Sequence, residues 1–220
     1  MAEYRREFDR QLDAIDAKVM ELFTMVCEDL PPVTQAVLNG HNEVAGLLAE
    51  RERIIDALYR EIEQLVSREI LLQAPVASDL RFLLSVLRIA PELERSHDLV
   101  CHIASRASHI PGAELSPRCR ELITQMDQLA CGMWRWAAAC WCQRDGSAAS
   151  ALAEADDELD ELHANLAAEL ASGTMTPPVM MEMTLVARFY ERLGDHAVNI
   201  ARRVIYLAGS TRAGPLNVSG

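Results

Sequence analysis

Aromatic residues are scarce, at 5% of the chain, and only 10 of the 220 residues are glycine. Both shortages weigh against a fold of many short strands joined by tight turns. Positive charge is short as well: 21 Lys and Arg stand against 33 Asp and Glu, a formal net charge of −12. That balance excludes a nucleic-acid binder, which needs a clustered basic surface, and suits a cationic ligand, metal ions included. The six cysteines, Cys27, Cys101, Cys119, Cys131, Cys140 and Cys142, contain no Cys-x-x-Cys pair. A disulfide framework and a zinc finger are both excluded, and free thiols in a reducing cytoplasm are expected. The most apolar run, Ala130 to Cys142, carries Arg135 and is too short to span a bilayer. The opening Glu3-Tyr4-Arg5-Arg6-Glu7 lacks the apolar core of a signal peptide. A cytoplasmic protein without membrane insertion is expected. Glycine-rich phosphate loops, a nucleophile elbow and a catalytic triad are all missing, so catalytic residues are not assigned and the chain does not read as an enzyme.

What is present is helical. Half of the residues are hydrophobic and a quarter are charged, an ordinary balance for a globular chain. From Glu3 to about Asn39 the apolar residues Phe8, Leu12, Ile15, Val19, Leu22, Phe23 and Val26 return every three or four positions. Pro31-Pro32 is expected to kink or restart that helix, and Gly40 to end it. A second helix is expected from about Asn42 to Leu72, with Ile55, Leu58, Ile62 and Val66 on its stripe. Pro75 separates it from a third that carries Leu83, Leu87, Leu93 and Ile103, with Pro91 as a kink. The stretch from Ile110-Pro111-Gly112 to Pro117 breaks the chain near its midpoint. Three further helices follow, from about Pro117 to Gln143, from Ala148 to Leu170 and from Pro177-Pro178 to Ala208. The expected fold is all-α: two tandem three-helix bundles over residues 1–112 and 113–210, then a flexible tail at 211–220.

The halves repeat each other. Glu94-Arg95-Ser96-His97-Asp98 in the third helix matches Glu191-Arg192-Leu193-Gly194-Asp195 in the sixth, and Arg106 and Arg203 follow in step. Each copy holds a Glu four residues before an Asp, which places both carboxylates on one helix face. The second helix offers Glu52 and Asp56 at the same spacing, and the fifth offers Asp156 and Asp160 in a segment crowded by Glu154, Asp157, Glu158 and Glu161. Antiparallel packing would bring four carboxylates together in each half, an arrangement of like charges that calls for a cation among them. The first copy also presents His97 and His102 beside Glu94 and Asp98, whereas the second has Gly194 and Asn199 there. Imidazole suits zinc and iron while oxygen ligands suit magnesium and manganese, so the first half is expected to prefer a transition metal. Arg95 and Arg192 read as salt-bridge partners, and His41, His109 and His196 as structural histidines. Trp134, Trp136 and Trp141 read as helix–helix or partner contacts.

These motifs resemble the PhoU family of bacterial phosphate regulators. Glu191-Arg192-Leu193-Gly194-Asp195-His196-Ala197-Val198-Asn199-Ile200-Ala201 follows the family signature, and Pro75-Val76-Ala77-Ser78-Asp79-Leu80-Arg81 resembles the start of the third helix of its first repeat. The first copy departs from that pattern at Ser96-His97, at His102 and at Pro91. The resemblance implies a cytoplasmic, non-enzymatic, homodimeric negative regulator of phosphate transport and phosphate-starvation signalling. It implies two partners, the ATPase of a phosphate ABC transporter and a membrane sensor histidine kinase. It also implies divalent or trivalent metal ions (iron, zinc, manganese or magnesium) on the acidic helix faces. A rival reading is a di-iron or di-manganese carboxylate enzyme, whose bundle sites use Glu-x-x-His pairs. Glu94-x-x-His97 fits that pattern, Asp160-x-x-His163 fits it loosely, and Gly194 breaks its symmetry.

Overall fold

The structure, a computed structural model, describes residues 2–40 and 43–209. His41, Asn42 and the tail at 211–220 lie outside the described residues. Six α-helices account for nearly all of the remainder: α1 (Ala2–Asn39), α2 (Ala45–Gln73), α3 (Ala77–Ala107), α4 (Pro117–Gln143), α5 (Ala149–Ala171) and α6 (Pro177–Ala208). Two single 3-10 turns, Gly112–Glu114 and Gly146–Ala148, complete the order, and no strand occurs among the described residues. The chain is all-α, as its stripes predict. Pro31 and Pro32 do not restart α1, and α3 runs unbroken through Pro91. Leu30, Val33 and Val37 lie around Pro31-Pro32, and Ala90 and Leu93 around Pro91, all completely buried. Tertiary packing of those turns holds the helix where a proline has removed an N–H donor.

Helices α1, α2 and α3 pack on one another, and so do α4, α5 and α6. The two sets meet along α3 against α6 and α1 against α4, with α2 and α5 on the outer flanks. One continuous apolar core runs through both sets. Phe23 and Trp134 meet across the α1–α4 contact with ring centroids 6.2 Å apart. Trp141 is also fully buried. Its indole N–H donates to Asp16 Oδ1 at 2.7 Å, and the Arg144 guanidinium lies 4.2 Å from its ring while pairing with Asp16 at 2.8 Å. Both tryptophans are helix–helix contacts, whereas Trp136 is 43% exposed. All six cysteines are free.

Several polar groups in this core find partners across the two sets. Tyr190 on α6, Thr34 on α1 and Asp127 on α4 form a chain in which Thr34 Oγ1 lies 2.5 Å from the Tyr190 hydroxyl and donates to Asp127 Oδ1 at 2.6 Å. Thr34 has a single hydroxyl proton, so with that proton given to Asp127, Tyr190 is the donor to Thr34. Burial raises the pKa of Tyr190 and of Asp127. At the start of α4, Ser116 Oγ accepts from the Cys119 N–H at 3.0 Å and donates to Glu169 Oε1 at 2.6 Å, tying that cap to the end of α5.

The link between the two sets is held by backbone contact. Gly40 ends α1 with φ +72°, and a Cβ there would lie 2.8 Å from the Gly112 nitrogen. A Cβ on Gly112 would stand 2.6 Å from the Leu38 carbonyl oxygen. Arg120 closes the junction by donating to Leu38 O at 2.9 Å and to Gly112 O. No flexible side chain stands at this contact to swing away. Gly112→Ala is therefore expected to destabilise the protein by about 2–4 kcal/mol, on the scale of overpacking against rigid neighbours, as measured by denaturant unfolding. A change below about 0.5 kcal/mol, the range of an unremarkable surface substitution, would show that the junction yields freely.

Candidate functional site

The predicted carboxylate pairs emerge along the seams where each outer helix meets its third helix. On the α5–α6 seam, Asp156, Asp160, Glu191 and Asp195 lie close enough to repel one another. Burial, then the charges of Asp195, Asp160, Asp157 and Glu191, push Asp156 up to about 6. Burial also raises Glu191; the nearby Arg188 guanidinium opposes that shift, and Asp195 and Asp160 add to it. On the α2–α3 seam, burial raises Glu94, with Asp98 and Asp56 adding to it. Glu52 faces the same seam: burial, followed by the charges of Glu52, Asp98 and Asp29, pushes the Cys101 thiol up to about 12. Arginine compensates little of this charge. Arg60 pairs with Asp56 at 3.0 Å and Arg188 pairs with Glu191. Arg95 and Arg192 are exposed and make no ion pair among the described residues.

Gly194 explains how close the second seam is. A Cβ there would stand 2.6 Å from Asp156 Oδ1 and 2.7 Å from Leu159 Cδ2. The missing side chain lets α5 settle onto α6 and holds the Asp156 carboxylate against the α6 backbone. His97 occupies the matching position of α3, and its ring points the other way. It is fully buried, with Nε2 3.0 Å from Asp29 Oδ2 on α1 and Nδ1 3.6 Å from Cys101 Sγ. Arg51 Nε lies 3.2 Å from the same Asp29 oxygen. His102 stacks on Phe189 at 5.4 Å. The mixed imidazole–carboxylate face expected of Glu94, His97, Asp98 and His102 is thus not assembled, because Asp29, itself paired with Arg51, draws His97 inward. The same placement removes His97 from the Glu-x-x-His pair that a di-metal carboxylate enzyme would use. His196 is buried between the sets, with Nδ1 2.8 Å from Ser96 Oγ, and burial lowers its pKa. His109 is exposed.

The donor chemistry of the seams fits hard, oxygen-seeking cations. Among the described residues, however, no three His, Cys, Asp or Glu side chains converge on a single point as a closed ligand set would. Two polar sites escaped the sequence reading. Asp127 sits on the same stripe as Ile123, Ala130 and Trp134, and an acid at an apolar-stripe position was the available signal. Asp29, seven after Leu22, three after Val26 and four before Val33, carried the same signal, but its partners His97 and Arg51 come from α3 and α2 and could not be read from spacing.

The family model for the PhoU domain matches this chain twice, over residues 19–107 and 123–204. The chain belongs to the PhoU family. A phosphate-specific transport system accessory protein PhoU homolog of Synechocystis sp. is 32% identical over 213 residues, covering 94% of each chain. PhoU homolog 2 of Mycobacterium tuberculosis is 29% identical over 208 residues, 93% of this chain and 97% of that one. The crystal structure of PhoU from Pseudomonas aeruginosa superposes with a TM-score of 0.84 at 25% identity, over 91% of this chain and 98% of that one. That of the phosphate transport system regulatory protein PhoU from Streptococcus pneumoniae gives 0.82, also at 25% identity, over 91% and 96%.

The perturbed carboxylate makes a pH test possible. Asp156 has its pKa raised from 3.8 to about 6. Between those values the folded chain keeps a proton that the unfolded chain has lost. Stability from this group is therefore greatest at low pH, falls as pH rises through the window, and stays reduced above it. His196, buried neutral, acts in the opposite sense as pH falls, so the comparison must be a difference between proteins. In chelated buffer, Asp156→Asn is expected to melt about 1–3 °C above the native chain near neutral pH, on the scale of a partly screened charge. The gap should close by about pH 4. A gap that does not vary with pH would show that Asp156 carries no such strain.

Proposed function

We propose that this chain is a non-enzymatic accessory protein of phosphate-specific transport, acting in the cytoplasm to restrain phosphate uptake and the phosphate-starvation response. The observation that carries this reading is the twofold match of the PhoU domain over most of the chain, supported by relatives that bear the same transport-accessory name along almost their entire length. On this reading it works by docking, as a homodimer, with the ATPase of a phosphate ABC transporter and with a membrane sensor histidine kinase. No described helix is long and apolar enough to cross a membrane, so contact with such partners is made from outside the bilayer.

Metal binding belongs to the same proposal. Asp156, Asp160, Glu191 and Asp195 would hold cations on the α5–α6 seam, and Glu52, Asp56, Glu94 and Asp98 on the α2–α3 seam. Bound iron, zinc, manganese or magnesium would supply positive charge where the carboxylates crowd. Each side chain contributes oxygen only, which favours magnesium or manganese over zinc in a metal-replete cell.

Deleting the gene is expected to leave a phosphate-starvation reporter on, or phosphate uptake unrestrained, in phosphate-rich medium. The native chain should restore control. Unchanged reporter and uptake in the deletion strain would refute the regulatory role. Elemental analysis of protein purified without chelator should find metal, with less of it in the doubly substituted Asp156→Asn, Asp195→Asn chain, whose α2–α3 seam is intact. Equal metal in both proteins would place binding elsewhere.

A further inference from the structure

The duplication provides an internal comparison along the α3–α6 seam. The offset that relates Glu94 to Glu191 also relates Arg106 to Arg203 and Ser85 to Glu182. At one end of the seam Arg106 Nη1 meets Glu182 Oε2 at 3.4 Å. At the other end the acid is absent: Arg203 Nε donates instead to Ser85 Oγ at 3.1 Å. By the same offset Arg88 stands where the first end has Leu185, and Asn199 where it has His102. One end is ion-paired and apolar, while its counterpart gathers cations without their acids.

Those cations surround a cleft of about 310 Å³ lined by Arg88, Arg202, Arg203, Asn199, Glu92 and Tyr206. Among the described residues none of the three arginines makes an ion pair. Arg202 only donates to Asn199 Oδ1 at 3.3 Å. Burial lowers the pKa of Arg203 and the neighbouring Arg88 charge lowers it further, against the pull of Tyr206. Glu92 also lines the cleft but forms no ion pair with any of these arginines: its Oε2 is enclosed and lies 3.8 Å from His196 Nδ1. Arg203 is also held in place: its guanidinium lies 4.1 Å from the Tyr206 ring, and Arg81 stacks on the same ring at 5.5 Å. With Nε fixed on Ser85, both Nη groups of Arg203 remain available as a planar fork, the geometry that matches phosphoryl oxygens. In a chain of net charge −12, such a concentration of uncompensated guanidinium calls for an anion. A cleft of this volume is at the small end of ligand pockets.

We propose that this cleft binds a small phosphoryl-bearing anion, with its oxygens shared among Arg88, Arg202 and Arg203. The inference goes beyond the regulatory role and does not depend on it. The test is isothermal titration calorimetry of the full chain with inorganic phosphate, pyrophosphate and ADP, and with sulfate as the matched control. Chelated buffer prevents an anion bridged by metal at the acidic seams from being counted. The variants are Arg88→Leu, which copies Leu185 at an exposed position, Arg203→Gln, and Arg106→Gln at the ion-paired end. At least one phosphoryl anion should saturate and exceed sulfate, and each cleft variant should weaken it by about tenfold or more, the scale of a lost charge-assisted bidentate contact. Arg106→Gln should bind like the native chain. Saturation by inorganic phosphate identifies the free ion as the ligand, and saturation by the two diphosphates alone identifies a nucleotide or polyphosphate end; both support the site. The proposal is overturned if no phosphoryl anion saturates, if sulfate binds equally well, or if Arg88→Leu, with unchanged circular dichroism, binds like the native chain.

Discussion

Helices α3 and α6 are each buried on two sides, once within their own set and once against each other, and this double burial governs what the rest of the chain can do. A helix in that position has little room for polar side chains, and those it carries must find partners inside the protein. Ser96 meets His196, His97 meets Asp29, Ser85 meets Arg203 and Tyr190 meets Thr34. Each of these contacts joins two helices, so the polar groups of the core add specificity to a packing arrangement that apolar side chains alone would define loosely.

The acidic residues occupy the surface that double burial leaves over. The edges of α3 and α6 beside the flanking helices remain partly open, and both Glu-x-x-x-Asp pairs emerge there. The two edges are built differently. In the second half a glycine lets α5 close down until Asp156 lies against the α6 backbone. In the first half a histidine fills that place and is held by a buried acid that also pairs with Arg51. The crowding that raises the Asp156 pKa therefore has a specific steric origin in Gly194.

Most of the fold could be read from the sequence because period-3.6 stripes and Pro/Gly breaks are local signals. The carboxylate pairs were legible for the same reason: four residues on a helix always share a face. Helical geometry gives an angle about one axis, however, and says nothing of which neighbour fills the space at that angle. His97 lies beside Glu94 and Asp98 by angle, yet Asp29 on another helix decides its direction. Asp156 reads as the least distinctive of the acids because so many others crowd its segment, and it proves the most perturbed of the paired carboxylates, because Gly194 brings a second helix within reach. The arginine cleft was invisible for a related reason. Arg88 and Arg203 belong to different halves, and only the crossing of α3 and α6 makes them neighbours.

The segment between α3 and α4, whose Gly112 packs against Gly40, makes the two halves one covalent chain, and that has a consequence for symmetry. When two identical units associate about a twofold axis, every residue at one end of their interface must recur at the other. A substitution that removes an acid from one end removes it from both. Joined in a single chain, the two copies are free of that rule. Ser85 can stand where its counterpart is Glu182, so one end of the α3–α6 seam keeps a closed ion pair while the other opens to an anion. Fusion thus permits a division of labour across an interface whose geometry stays nearly twofold.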